Sequence, residues 1–441
     1  MHNLAIALYR NGHDVSGSDD EIFEPSASRL EEYGLLPPEP GWHPDKITGD
    51  IDSVILGMHA RKDNPELKRA QELQLEIKSF PEYLYEQTRS KKRVVVGGSH
   101  GKTTITSMIM HVLRSCGREF DYMVGSVVEG FDTMVNLSEN SEIAVFEGDE
   151  YLSSAIDSRS KFHLYKADIA VINGISWDHI NVFPSFDTYL EQFRIFTDTI
   201  SNNGKLIYFG DDALVKNIAE TSRGDIKRIP YTVHGYFQNS KGFFAATHNR
   251  IQKMEVFGEH NMQNMSAARI VCEELGISDD EFYNAIGNFR GSGKRLQLLN
   301  RSDNNAVYLD FAHAPTKVRA TVEAVAERYP GYRLIACLEL HTYSSLNEEF
   351  IKNYKNSLSE ADLSFVYYNP HALKIKKMKM LNKQNVKKAF GNDKIAVLDD
   401  SDELFYKIKE AAGPYTVYLF MSSGDFNGYN INDFASGLIS Q

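Results

Sequence analysis

Short apolar segments alternate with longer stretches of helical periodicity along most of this chain. The apolar segments are a few residues long and rich in β-branched side chains, which favours strands. Helical stretches separate many of them, as in βαβ units whose parallel sheet is covered by helices on both faces. The pattern predicts an α/β fold with strands at residues 54–56, 94–96, 143–146, 169–172, 206–209, 306–309, 334–337, 365–368, 395–398 and 417–420.

Two polar junctions interrupt this pattern and divide the chain. One is the charged stretch at residues 89–93, and the other is the glycine-containing stretch at residues 291–294. A chain of 441 residues is also too long for a single hydrophobic core. We therefore predict three domains, which cover residues 1–90, 91–297 and 298–441.

Two regions depart from the regular alternation. Several turn signals predict a small antiparallel sheet between residues 200 and 257. At the start, Leu4, Ala5 and Leu8 mark one face of a helix, and residues 14–19 are predicted to form a short strand after it. Because the chain starts inside a helix, we expect about 10–20 further residues upstream in the natural protein, forming an apolar strand and a Gly-rich turn.

Composition and charge narrow the classes of function. The chain has 48 basic and 60 acidic side chains, a formal charge of −12, which argues against binding to nucleic acid or to an anionic membrane. An anionic substrate would therefore need a local cluster of positive groups. Three cysteines lie far apart and predict neither a zinc cluster nor a disulfide framework. With no secretion signal and no apolar run long enough to span a bilayer, we expect a cytoplasmic protein.

The sharpest motif is a phosphate-binding loop between a predicted strand and a predicted helix. Backbone N–H groups and the helix dipole would bind phosphates there, Lys102 would contact the β/γ oxygens, and Thr103 or Thr104 would bind Mg²⁺. The strict pattern requires glycine at position 96, where the chain has Val96, so a glycine turn with an incidental lysine is the alternative. The predicted loop residues are Gly98, Ser99, His100, Gly101, Lys102, Thr103 and Thr104.

Acidic and imidazole side chains follow the next strands. Glu147 directly follows one predicted strand, and Asp178 and His179 follow another, where an α/β sheet presents groups to its ligand. A carboxylate and an imidazole on a second divalent cation would suit phosphoryl transfer, although such residues are also common in solvated turns.

Four more polar residues lie further along the chain. Asn261 and Asn264 could cap a helix or contact an adenine edge, and Arg295 directly follows the second junction. Asp310 could accept hydrogen bonds from ribose hydroxyls or could cap the following helix.

Taken in order, these motifs resemble those of the Mur ligase family of ATP-dependent amide-bond-forming enzymes. The matching stretches are residues 98–104, 147–150, 178–179, 258–264, 294–295 and 310–315. The resemblance implies a Rossmann-like N-terminal domain that binds a UDP-sugar, a central P-loop ATPase domain, and a Rossmann-like C-terminal domain that brings the amine. It also implies roles: Lys102 on the ATP phosphates, Thr103 on the Mg²⁺ of ATP, Glu147 with His179 on a second Mg²⁺, Asn261 and Asn264 on adenine, Arg295 on phosphate and Asp310 on ribose.

The stretch from Arg159 to Phe162 resembles family members that recycle peptidoglycan. Those enzymes join UDP-N-acetylmuramate to the tripeptide L-alanyl-γ-D-glutamyl-meso-diaminopimelate, and members that add L-alanine are the close alternative. Expected contacts to these substrates are Ser18, Asp19, His59 and Arg159. Residues 339–345 lack the arginine usually found there, so the group that binds the carboxylates of the amine substrate stays unassigned. A non-catalytic ATP-binding homologue is the remaining alternative.

Overall fold

The computed structural model of the protein describes residues 1–177, 182–392 and 394–439. These residues form an α/β structure with four sheets, and all ten predicted strands are present. Within the described part of the chain, no helix is both long and apolar enough to cross a bilayer.

The first segment contains a two-stranded parallel sheet and four α-helices within its described residues. The strand predicted at residues 14–19 is wrong, because this stretch forms no strand and Val15 packs half-buried against the core. On the helix before it, Leu4 and Leu8 are buried as predicted, whereas Ala5 is half-buried. The elements are α1 His2–Arg10, α2 Ser26–Glu32, β1 Val54–Leu56, α3 Pro65–Glu72, β2 Ile77–Ser79 and α4 Phe80–Thr88.

A seven-stranded sheet forms the centre of the molecule, in the order β5-β4-β6-β3-β7-β8-β9. Only β5 runs antiparallel to its neighbour. Alternate side chains of β3 enter opposite cores: Val94 and Val96 pack on one face, and Val95 on the other. The elements are β3 Lys92–Gly97, α5 Lys102–Ser115, β4 Asp121–Met123, β5 Val135–Asn136, β6 Ile143–Glu147, α6 Lys161–Leu164, β7 Ile169–Ile172, α7 Phe186–Asp198, β8 Lys205–Phe209, α8 Ala213–Thr221 and β9 Lys227–Tyr231.

The antiparallel sheet predicted between residues 200 and 257 is present and has three strands. Two helices follow it, and the first of them packs against α5, the helix that begins after the phosphate loop. The elements are β10 Tyr236–Asn239, β11 Gly242–Ala246, β12 Ile251–Met254, α9 Glu259–Glu274 and α10 Asp279–Ile286.

The last part of the chain forms a six-stranded sheet in the order β13-β14-β18-β15-β16-β17. Only β13 is antiparallel, so the other five strands end at one common edge. The elements are β13 Gln297–Arg301, β14 Asn305–Asp310, α11 Pro315–Arg328, β15 Arg333–Leu340, β16 Leu363–Tyr368, α12 Pro370–Ile375, α13 Lys383–Phe390, β17 Ile395–Leu398, α14 Ser401–Glu410, β18 Thr416–Met421 and α15 Ile431–Ile439.

Candidate active site

The predicted phosphate loop connects the central strand β3 to the buried helix α5. Gly98 and Gly101 have φ angles of +127° and +70°, which side chains other than glycine rarely adopt. A Cβ atom at Gly98 would lie 2.9 Å from the backbone nitrogen of Asn173, and one at Gly101 would collide with Asn173 and Asn264. The loop is therefore closely backed by these amides and keeps the backbone geometry that a phosphate site requires.

Lys102, the first residue of α5, forms a buried ion pair with Glu150. Its Nζ lies 2.6 Å from Oε2 of Glu150, whose side chain is 1% exposed. The Tyr189 hydroxyl donates to the other carboxylate oxygen at 3.2 Å. Burial alone would lower the pKa of Lys102, but Glu150 and Asp149 outweigh it and hold that pKa above its ordinary value. The ammonium group therefore stays charged, as a phosphate contact requires.

Thr103 and Glu147 converge beside the loop. The Thr103 hydroxyl donates to Oε1 of Glu147 at 2.8 Å, and the Gly125 N–H donates to Oε2 at 2.7 Å. Arg295, directly after the second junction, reaches the same hydroxyl with Nη2 at 3.3 Å. A hydroxyl and a carboxylate in contact are oxygen ligands of the kind that Mg²⁺ prefers.

The carboxylates after β6 have different electrostatic surroundings. Burial and the neighbouring Asp149 raise the pKa of Glu147 despite the opposing charge of Lys102. Burial also acts to raise the pKa of Asp149, but Lys161 and Lys102 outweigh it and the pKa is lowered. The Lys161 Nζ lies 3.2 Å from Asp149 and 4.5 Å from the centre of the Tyr151 ring. The site thus holds the ion pair of Lys161 with Asp149, both charged, and the Glu147 carboxylate, which burial makes easier to protonate.

The predicted second cation site is not described by the structure. Asp178 and His179 lie outside the described residues, so the role of His179 stays a prediction. Within the described ranges, no group of three or more His, Cys, Asp or Glu side chains is arranged to hold a metal ion.

The two predicted adenine contacts are buried on α9. Oδ1 of Asn264 accepts a hydrogen bond from the Asn173 amide at 2.8 Å, and the Asn261 amide donates to the Phe257 carbonyl at 2.8 Å. Asn173 also donates to the carbonyl of His100 in the loop, at 3.2 Å. No motif marks Asn173 in the sequence, and only its position directly after β7 could have identified it.

Asp310 ends β14 and stabilises the junction between the seven-stranded and six-stranded sheets. It accepts hydrogen bonds from the backbone N–H of Leu296 and from that of Ala312, the latter at 2.6 Å. The alternative that Asp310 caps the following helix is wrong, because the N-cap of α11 is Ala314. The junction is further fixed by Arg295, whose guanidinium lies 4.6 Å from the centre of the Phe311 ring.

A second contact joins the phosphate loop to the helix that follows β14 of the six-stranded sheet. Nε2 of His100 lies 3.2 Å from the Thr316 hydroxyl, in the first turn of α11. Together with the contact between Arg295 and Thr103, it places the end of β14 against the loop. The candidate site therefore lies between two sheets.

The expected substrate contacts lie elsewhere. Ser18 and the exposed Asp19 and His59 are in loops of the first segment. Arg159 is 57% exposed and pairs with Asp157 at 2.7 Å and with Glu82 of α4 at 2.6 Å. It therefore links the central sheet's loops to the first segment.

The rest of the Arg159 stretch is structural. The Ser160 hydroxyl donates to the backbone carbonyl of Glu150, and the Phe162 ring stacks on Phe196 at 4.4 Å between centres. Both side chains are fully buried, so they hold the acidic loop in place.

Two regions of the chain match models of known domains. Residues 96–272 match the Mur ligase middle domain, and residues 294–424 match the Mur ligase, glutamate ligase domain. The UDP-N-acetylmuramate–L-alanine ligase of Syntrophomonas wolfei is 30% identical over 83% of this chain and 79% of its own length.

Other relatives carry a different substrate in their names. The UDP-N-acetylmuramate–L-alanyl-γ-D-glutamyl-meso-2,6-diaminoheptandioate ligase of Escherichia coli is 29% identical over 77% of this chain and 76% of its own. Among solved structures, a UDP-N-acetylmuramate–alanine ligase of Thermotoga maritima superposes with a TM-score of 0.74 at 22% identity, over 100% of this chain and 96% of that one. That likeness shows the fold.

Proposed function

The chain belongs to the Mur ligase family of ATP-dependent, amide-bond-forming ligases of the peptidoglycan pathway, and we propose that it joins UDP-N-acetylmuramate to the tripeptide L-alanyl-γ-D-glutamyl-meso-diaminopimelate. The observation that carries the chemistry is the convergence of Lys102, Thr103 and Glu147 with Arg295 at one edge. The choice of tripeptide is supported by the Arg159 stretch and by relatives named for that reaction. ATP as a substrate agrees with the expected cytoplasmic location.

ATP would bind with its phosphates in the loop at the N-terminus of α5. Lys102 would leave Glu150 for the β/γ oxygens, and Arg295 would contact the phosphates from the opposite side. Asn261 and Asn264 would lie on the adenine side, and Asp310 would accept from the ribose. Each carboxylate oxygen has two lone pairs, so Asp310 can accept from a ribose hydroxyl while it holds two backbone N–H groups.

Thr103 and Glu147 fit a bound Mg²⁺ because their oxygens already lie 2.8 Å apart in a buried position. Such an ion would neutralise charge between the phosphates and the carboxylate of the sugar substrate. For a second Mg²⁺, we propose Glu147 together with His179.

The reaction needs activation because a carboxylate is a poor electrophile at neutral pH. Transfer of the γ-phosphoryl group to the lactyl carboxylate gives an acyl phosphate and ADP. The peptide amine then attacks the acyl carbon, a tetrahedral intermediate forms, and inorganic phosphate leaves as the amide is made. Lys102 and Arg295 would stabilise the charge that develops on the transferred group.

A competition experiment tests the choice of amine. The chain would be incubated with ATP, Mg²⁺ and UDP-N-acetylmuramate, with L-alanine and the tripeptide at equal concentration, and the products identified by mass. We expect the tripeptide product, and no phosphate release when UDP-N-acetylmuramate is omitted. Mainly L-alanine product would assign the chain to the alternative, and ATP binding without any product would make it a non-catalytic homologue.

A further inference from the structure

A stretch of the chain around β16 of the six-stranded sheet is strongly basic in an otherwise acidic protein. Residues 363–392 contain no Asp or Glu, although the whole chain has a formal charge of −12. Within that stretch lie seven lysines: Lys374, Lys376, Lys377, Lys379, Lys383, Lys387 and Lys388. We refer to residues 374–380, which hold the first four, as the lysine segment.

The lysine segment lies just beyond the edge where the parallel strands end. Asn369, directly after β16, caps α12 and donates from its side-chain amide to Oδ1 of Asn427 at 2.8 Å, in the loop after β18. Leu373 and Leu381, on either side of the segment, are buried. The backbone is therefore anchored at both ends, and Lys374, Lys377 and Lys379 are exposed between the anchors.

The charges of this segment are not neutralised within the described chain. Lys383, just beyond it, pairs with Asp399 at 2.6 Å. By contrast, none of the segment's four lysines has an Asp or Glu oxygen within 4.0 Å among the described residues. One of them, Lys376, has its Nζ 5.3 Å from the centre of the Tyr343 ring, in the stretch that lacks an arginine. Four lysines on an anchored loop, with no acidic partner in the part of the chain that the structure describes, favour an anionic ligand.

The order of the strands gives the distance between the lysine segment, which follows β16, and the end of β14. The strands run β14-β18-β15-β16, so β16 lies three positions from β14, about 14 Å at 4.8 Å per strand. The end of β14 faces the phosphate loop through Thr316 and His100. An extended tripeptide spans about 10 Å, and a lysine side chain can cover the remainder, whereas one amino acid spans about 3.5 Å.

We propose that the lysine segment binds the free carboxylates at the far end of the incoming peptide while the peptide's amine lies at the phosphate loop. The ligand class is a short peptide with more than one free carboxylate. This inference rests on the proposed ligase function and deepens it, because a site this far from the loop selects a peptide over a single amino acid.

Two double variants with equal charge change test the inference. Lys376→Gln/Lys377→Gln alters the segment, and Lys387→Gln/Lys388→Gln on α13 is the matched control. We expect the first variant to raise the KM for the tripeptide about tenfold, with kcat and the KM for ATP within about twofold of the unmodified chain. The control should match the unmodified chain, and the KM for L-alanine should be equal in all three.

A binding measurement separates failure of this inference from failure of the proposed function. Calorimetric titration of the tripeptide into the full chain needs no turnover, so weaker binding to the first variant alone would support the lysine segment even if no product formed. Equal Kd and KM values for both variants would overturn it and leave the segment as solvated surface. Thermal melting controls for folding, and if the double variant is unstable, the exposed single variant Lys377→Gln replaces it with a smaller expected rise in KM.

Discussion

At the scale of single residues, the acidic cluster after β6 shows that the partner of a buried carboxylate decides its role. Glu147 contacts a hydroxyl and a backbone N–H, so burial leaves its pKa raised. Glu150 instead contacts Lys102 and serves as the counterion of the phosphate-binding lysine. Glu147 is therefore the side chain suited to a metal ion, and Glu150 the one that positions Lys102.

Replacement of Lys102 should affect activity and stability separately. Lys102→Met should lower kcat by about a thousandfold, because a group that stabilises transition-state charge is lost. It should also lower the free energy of unfolding by about 3 kcal/mol, because the buried Glu150 carboxylate loses its ion pair with Lys102. Steady-state kinetics and urea denaturation measure the two effects.

The double variant Lys102→Met/Glu150→Gln is the control for that result. Without the buried charge, it should recover most of the lost stability while staying inactive. If the double variant is no more stable than Lys102→Met, the ion pair does not hold Lys102 in the folded protein.

At the scale of elements, long apolar strands were predictable, whereas elements defined by their partners were not. The ten predicted strands are apolar and mostly buried, so their composition is sufficient. Among the strands that were not predicted, β4 and β5 have only three and two residues and exist through their pairing. Conversely, residues 14–19 contain one apolar side chain, Val15, among polar ones. They find no strand to pair with, and local sequence cannot reveal that.

The same limit applies to the candidate site. The loop and Glu147 follow from local motifs, because strand, turn and helix are contiguous in sequence. Two other contacts join residues that are far apart in sequence: the ion pair of Lys102 with Glu150, and the hydrogen bond of Asn173 to the loop. Sequence spacing does not encode such contacts. Ser160 was part of a predicted substrate signature, but burial assigns it to the acidic loop's support.

Helix α5 contains a buried hydroxyl whose removal should stabilise the protein. Thr106 is fully buried, and its Oγ1 has no hydrogen-bond partner among the described residues. Thr106→Val keeps the shape and removes the unsatisfied group, so the free energy of unfolding should rise by about 1 kcal/mol. The neighbouring Ser107 donates to the Thr103 carbonyl at 2.7 Å. Ser107→Ala should therefore not be stabilising, and equal effects of both variants in urea denaturation would contradict the prediction.

At the scale of the whole molecule, the candidate site depends on the contact between the seven-stranded and six-stranded sheets. Arg295 contacts Thr103, and His100 contacts Thr316, so the phosphate loop is completed from both sides. The lysine segment extends the same edge away from the loop. The edge of the six-stranded sheet at which its parallel strands end would thus hold the nucleotide at one end and the peptide's carboxylates at the other.

The whole protein should lose stability in mild acid because of histidines that are buried or half-buried. Burial lowers the pKa values of His163, His234 and His260 below the ordinary 6.5. Between the lowered and the ordinary values, the unfolded chain binds more protons than the folded one, so folding stability falls as pH drops through 6.5. Carboxylates with lowered pKa values lose their contribution at lower pH, and the raised pKa of Glu147 acts in the opposite direction, so we assign the fall in stability in this window to the histidines.

Thermal melts of single variants test this effect. His163 is 6% exposed, and its Nε2 lies 2.8 Å from the Gln192 carbonyl, so the neutral ring donates there. His163→Gln can keep a donor without binding a proton, and its Tm should fall less between about pH 7 and about pH 5 than that of the unmodified chain. His248→Gln, at an exposed position, is the matched control and should follow the unmodified chain. Parallel Tm curves for His163→Gln and the unmodified chain would show that protonation of His163 does not drive the acid sensitivity.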